Sequence, residues 1–104
     1  MNIQKMLKQA QQMQEKMAAA QAELGEKTVE SSVGGGKVTV VANGAGDVLS
    51  IKIDPAVVDP EDCEMLEDLV LSGVQQAIGE AKAMANEEMG KLTAGMNIPG
   101  LPGM

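Results

Sequence analysis

Few residues in this 104-residue chain could do chemistry, and three of them are spaced to make one surface. At about 100° per residue, Lys5, Lys8 and Lys16 fall within roughly one quarter of a helix's circumference. Gln9 and Gln12 lie among them. Lysines neutralise phosphates, and glutamines donate to phosphates or to base edges. The solvated side of an amphipathic helix has the same composition, so residue types alone leave both readings open. Lys82 and Lys91 are secondary candidates, set among Glu80, Glu87 and Glu88.

Catalysis needs side chains that this chain mostly lacks. It has no His to act as a base or zinc ligand, and one Cys cannot build a zinc site. Cys63 stands between Asp62 and Glu64, the wrong setting for a nucleophilic thiolate, and reads as an inert, partly buried thiol. Gly34-Gly35-Gly36-Lys37 invites comparison with a phosphate loop. That motif needs a Gly where Ser31 stands and a Ser or Thr where Val38 stands, and it opens a helix. The acids from Asp54 to Asp68 are interrupted by Pro55 and Pro60 and lack the alternating oxygens and central Gly of a calcium loop. They read as solvated acids around a helix start. No catalytic residue, metal site, cofactor or small-molecule substrate is expected.

The net charge is −7, and its distribution is uneven. Asp54, Asp59, Glu61, Asp62, Glu64, Glu67 and Asp68 include no Lys, whereas the rest of the chain balances eight acids against eight Lys. Overall acidity opposes non-specific polyanion binding, yet the first sixteen residues carry three Lys and one Glu. A single Cys forms no internal disulfide, and neither a signal peptide nor a membrane-length apolar run is apparent. The reading is a cytoplasmic protein without a membrane partner.

Two long helices must position these residues around a small sheet. Ile3, Met6, Ala10, Met13, Met17, Ala20 and Leu24 form a heptad seam over residues 3–24, with Gly25 placed as the stop. The seam fits packing against the sheet or a partner helix; a Met-rich groove for ligands is the alternative. Strands are predicted at 27–33, at an edge, then 37–42 and 48–53. Alternating Val38, Val40, Leu49, Ile51 and Ile53 suggest a half-buried sheet. Gly34-Gly35-Gly36 and Asn43-Gly44-Ala45-Gly46-Asp47 supply positive-φ reversals. Asp59 and Pro60 open a second helix to about residue 92, with Leu66, Leu69, Val70, Val74, Ala77, Ile78, Ala81 and Met84 as its apolar face. Gly73 and Gly79 suggest close approach. Residues 1–92 thus form one α+β domain, and 93–104 a flexible Gly/Pro/Met tail. With no Phe, Tyr or Trp the core is thin, which favours an oligomer.

The order and spacing of these pieces resemble the YbaB/EbfC family of bacterial nucleoid-associated proteins. The residues that carry the resemblance are Gly34-Gly35-Gly36-Lys37-Val38-Thr39-Val40, Gly44, and Ile51-Lys52-Ile53-Asp54-Pro55. Glu64-Met65-Leu66-Glu67-Asp68-Leu69-Val70, Met89-Gly90-Lys91-Leu92-Thr93-Ala94-Gly95-Met96 and the Met/Gln/Lys-rich first helix complete it. The resemblance covers essentially the whole chain. It implies an α–β–β–β–α fold with a three-stranded antiparallel sheet, and a homodimer whose helices project like the arms of tweezers. It further implies non-catalytic binding of double-stranded DNA with limited sequence preference, in nucleoid organisation and gene regulation. The family's DNA contact is attributed to the projecting helices, which favours the Lys5/Lys8/Lys16 strip. The acidic balance and absence of Arg depart from a typical DNA binder. A protein-interaction or chaperone-like module, using the Met-rich helix and tail, is the alternative function.

Overall fold

Small aliphatic side chains determine how the two layers meet. A computed structural model describes residues 2–96 as α1 (Ile3–Glu26), β1 (Thr28–Val33), β2 (Val38–Asn43), β3 (Val48–Ile53), a 3-10 turn (Pro55–Val57) and α2 (Cys63–Met96). The strands form one antiparallel sheet in the order β1-β2-β3, so β1 lies at an edge as its composition suggests. Helix α2 runs through Met96, beyond the expected end near residue 92; the rest of the expected tail lies outside the described residues.

The core lies between α2 and one face of the sheet. Val38, Val40 and Ala42 of β2 are fully buried against Ala77 and Ala81, with Val29, Val33, Leu69 and Val74 packed around them. Gly73 permits this closeness, because a Cβ there would stand 3.0 Å from Val40 Cγ2. Gly79 has open space around it and plays no such part. Ser31 faces the same side and donates from Oγ to Glu80 Oε2 at 2.7 Å, tying α2 to the β1 edge.

The expected half-burial of β3 is not found in the single chain. Ile51 and Ile53 lie opposite Val40 and Val38, hence on the α2 side of the sheet. Helix α2 crosses β1 and β2 and leaves them partly open: Ile51 is 42 % exposed and Ile53 38 %. Leu66, Glu67, Val70, Leu71 and Val74 line a groove, apolar apart from Glu67, on the flank of α2 turned away from Glu80 and β1.

Local sequence signals hold only in part. Gly34, Gly35, Gly36 and Gly46 do adopt positive φ, but Gly44 does not. Gly25 does not stop α1, which ends at Glu26 with Lys27 extended. Asp59 and Pro60 form a turn ahead of α2, with Asp59 Oδ1 accepting from Glu61 N at 3.0 Å. Asp62 caps α2 instead, accepting from Met65 N at 3.3 Å. Three acids within four residues compete for the helix end, and the one adjacent to it is the cap.

Asp54 closes the hairpin end of the sheet. Its Oδ1 accepts from Ala56 N at 2.8 Å, and its Oδ2 pairs with Lys37 Nζ at 3.3 Å. The backbone N–H of Ala56, then the Lys37 ammonium, hold its pKa below the usual 3.8. A depressed carboxylate pKa contributes stability that is full above the unfolded value and is lost as pH falls through the folded one. Denaturant midpoints measured down through pH 4 should therefore fall less steeply in Asp54→Asn than in the parent. Parallel curves would show that Asp54 contributes nothing to the acid response.

Candidate nucleic-acid interface

Helix α1 presents the lysines. Asn2 starts it by accepting from Lys5 N at 3.1 Å, and its first turn carries no acid to offset the positive helix end. Lys5, Lys8, Gln9, Gln12 and Lys16 are all exposed. Among the described residues the ion pairs are Lys27–Glu88, Lys37–Asp54 and Glu87–Lys91, so the three lysines of the strip enter none. Lys5 and Lys16 lie about 16 Å apart along the axis, roughly five base steps of duplex. The Met seam beside them is also largely open: only Met13 and Ala20 are half-buried before Leu24, which is buried. The helix projects from the sheet, giving extents of 71 × 26 × 17 Å. The radius of gyration of 19.9 Å compares with about 13 Å for a compact chain of this length.

The seven acids from Asp54 to Asp68 lie toward the other end of the sheet. Strand β2 runs from Val38, beside Ile53 and Asp54, to Asn43, where α1 is attached. Six residues of strand separate the two ends by about 20 Å, more than two Debye lengths at physiological salt. The cluster from Asp54 to Asp68 is therefore largely screened from the lysine arm. Lys82 and Lys91 are exposed on α2 but lie on opposite sides of it, so they make no common surface. Lys91 also pairs with Glu87 at 3.8 Å.

The attachment of α1 is the feature that residue patterns did not reveal. Lys27 N closes the helix on Glu23 O and Leu24 O, and the β2–β3 turn adds to it: Gly44 N donates to Leu24 O at 2.8 Å and to Lys27 O, just past the helix, at 3.0 Å. Asn43 Nδ2 donates to Gly25 O at 3.2 Å and Asp47 Oδ2 at 3.4 Å. Asn43 Oδ1 accepts from Ala45 N at 3.1 Å and Asp47 N at 2.9 Å. A Cβ on Gly44 would lie 2.7 Å from Leu24 O, which is why Gly stands there without a positive φ. The Asn-Gly pair was a visible signal, but only of a turn.

Cys63 is exposed, not partly buried, with Sγ 3.6 Å from Pro60 O. Among the described residues no group of three His, Cys, Asp or Glu side chains could hold a metal ion, and no helix is long and apolar enough to cross a membrane.

These features define a small α+β protein with one covered sheet face and a projecting helix that carries a lysine face. The chain belongs to the YbaB/EbfC DNA-binding family, whose sequence profile it matches over residues 1–96. It is 58 % identical over 100 residues to a nucleoid-associated protein of Thermoanaerobacter sp. (strain X514), covering 96 % of this chain and 90 % of that one. A nucleoid-associated protein of Pelotomaculum thermopropionicum is 52 % identical over 100 residues, covering 96 % and 95 %. The crystal structure of an uncharacterized Helicobacter pylori protein has the same fold, with a TM-score of 0.69 at 22 % identity over 92 % of this chain and 97 % of that one.

Replacing Lys5, Lys8 and Lys16 together with Gln should leave the far-UV spectrum unchanged. Exposed side chains without partners typically alter stability by less than about 0.5 kcal/mol each. A large drop in the denaturation midpoint would mean that the strip packs against something.

Proposed function

We propose that this chain is a homodimeric, non-catalytic DNA-binding protein of the cytoplasmic nucleoid, which grips duplex backbone through the Lys5/Lys8/Lys16 face of α1. The observation that carries this reading is a lysine strip that is exposed, free of ion pairs and remote from the acidic pole. Family membership and the names of the relatives supply DNA as the ligand. Lysine as a point charge, with no Arg for bidentate contact to guanine, suits backbone contact with limited sequence preference. Such binding serves nucleoid organisation, and gene regulation through it.

The dimer rests on the uncovered apolar surface. Val48, Leu49, Ile51 and Ile53, with the groove beside α2, form a patch that a second copy would bury. Two copies joined there carry two lysine arms.

Three lysines on each of two chains give a slope of log K against log salt of about −5 if all meet phosphates. Replacing them with Gln should flatten that slope and weaken binding alike on all sequences, while replacing Lys37 and Lys52 should do much less. Equal losses from both sets would refute a defined face. No binding by the parent at about 50 mM salt, where phosphate contacts are strong, would favour a protein-holding role for the open Met seam instead.

Sedimentation at micromolar concentration should find the parent dimeric. Because Ile51 stands half open in the single chain, Ile51→Asp acts on association and should yield monomer. A folded monomeric parent, or an Ile51→Asp dimer, would contradict this interface.

A further inference from the structure

We infer that the joint formed by Leu24, Asn43 and Gly44 is a positioning device that holds the lysine arm in its DNA-binding direction, so that Asn43 sets DNA affinity without touching DNA. The inference rests on the α1 lysine reading above. A helix end leaves its last carbonyls unpaired, and most helices answer with a local glycine cap or with water. Here Lys27 N caps Glu23 O and Leu24 O locally at 3.1 and 3.2 Å, and a distant part of the chain adds to it. Gly44 N and Asn43 Nδ2 reach the carbonyls of Leu24 and Gly25, so the β2–β3 turn caps α1.

The joint is rigid by construction. Asn43 is 6 % exposed, and both its amide hydrogens and both lone pairs of Oδ1 are engaged. Leu24 is 5 % exposed and sits where a Gly44 Cβ would be. Tilting α1 requires breaking these bonds together or withdrawing Leu24. Nearby, Lys27 Nζ pairs with Glu88 Oε1 at 3.1 Å, a brace to α2 in partial solvent. Ahead of the joint, α1 is exposed apart from half-buried Met13 and Ala20, so little else fixes its direction.

Two arms held at a fixed angle meet a duplex already aligned. Arms free to swing bind only when both point correctly, and apparent affinity falls by the fraction of time they do. The number of lysines is unchanged, so the salt slope should not move. That separates positioning from charge.

Asn43→Asp keeps the acceptors for Ala45 N and Asp47 N but removes the donor to Gly25 O and Asp47 Oδ2 and sets a carboxylate against Asp47. Leu24→Ala leaves the sheet and turn intact and withdraws only the anchor. Spin labels on Cys63 and on an introduced Gln14→Cys, on the face away from the lysines, report the direction of α1; dilution into unlabelled protein isolates the distance within one chain. The parent should give a narrow distance distribution and both variants a broad one. DNA affinity at fixed salt should drop about tenfold where the two arms are correctly placed together a tenth of the time, with the slope unchanged. A broad parent distribution, or variants as narrow as the parent, would overturn the joint. Broadened variants that bind DNA as well as the parent would reduce it to a structural feature and overturn the positioning role. A parent with narrow distances and no DNA binding would instead refute the DNA reading itself, and the positioning role with it.

Discussion

Helix α2 can lie on this sheet only because both surfaces are built from small side chains. Gly73, Ala77 and Ala81 meet Val38, Val40 and Ala42 with no aromatic ring anywhere in the chain to widen the gap. A contact so narrow is close and lacks breadth: one helix covers two strands, and the third is left with Leu49, Ile51 and Ile53 open. Ser31 and Glu80 fix the helix toward the β1 side, which makes the omission of β3 a consequence of where α2 is tied. The apolar surface that remains invites a second copy, and α1, with no room on the covered face, projects.

Projection then decides the electrostatics. A chain with pI near 4.4 is an unpromising partner for DNA if its charge is treated as uniform. The fold separates it. Seven acids gather where β3 leaves the sheet and α2 begins, while α1 leaves from the opposite end of β2 with its lysines beyond. Screening over that distance lets one end be acidic and the other bind a polyanion. The acids then favour solubility and disfavour wrapping of DNA around the body.

Much of this was legible in the sequence, for physical reasons. Period-two alternation and glycine reversals locate β2, β3 and the hairpin because a strand's faces alternate whatever covers them. The apolar stripe from Leu66 to Met84 and the Lys5/Lys8/Lys16 strip follow from helical periodicity alone. What covers a face is a tertiary fact, and there the reading failed. Ile51 and Ile53 have the pattern of burial but are only partly covered within the chain. Gly25 looked like a stop and Gly44 like a positive-φ turn residue, because the pairing of Leu24 with Gly44 across the fold has no local signature. Cys63 looked partly buried for the same reason: its exposure depends on where α2 begins, and that was placed too early.

The central claim, that the lysine face of α1 meets the DNA, is tested most directly by watching every lysine at once. Methylated or 15N-labelled lysine side chains, followed by NMR as duplex DNA is added, give eight signals from one sample. Lys5, Lys8 and Lys16 should shift together and saturate at one stoichiometry, with Lys27, Lys37, Lys52, Lys82 and Lys91 little changed. Shifts centred on the sheet or on α2, or spread evenly over all eight, would contradict it.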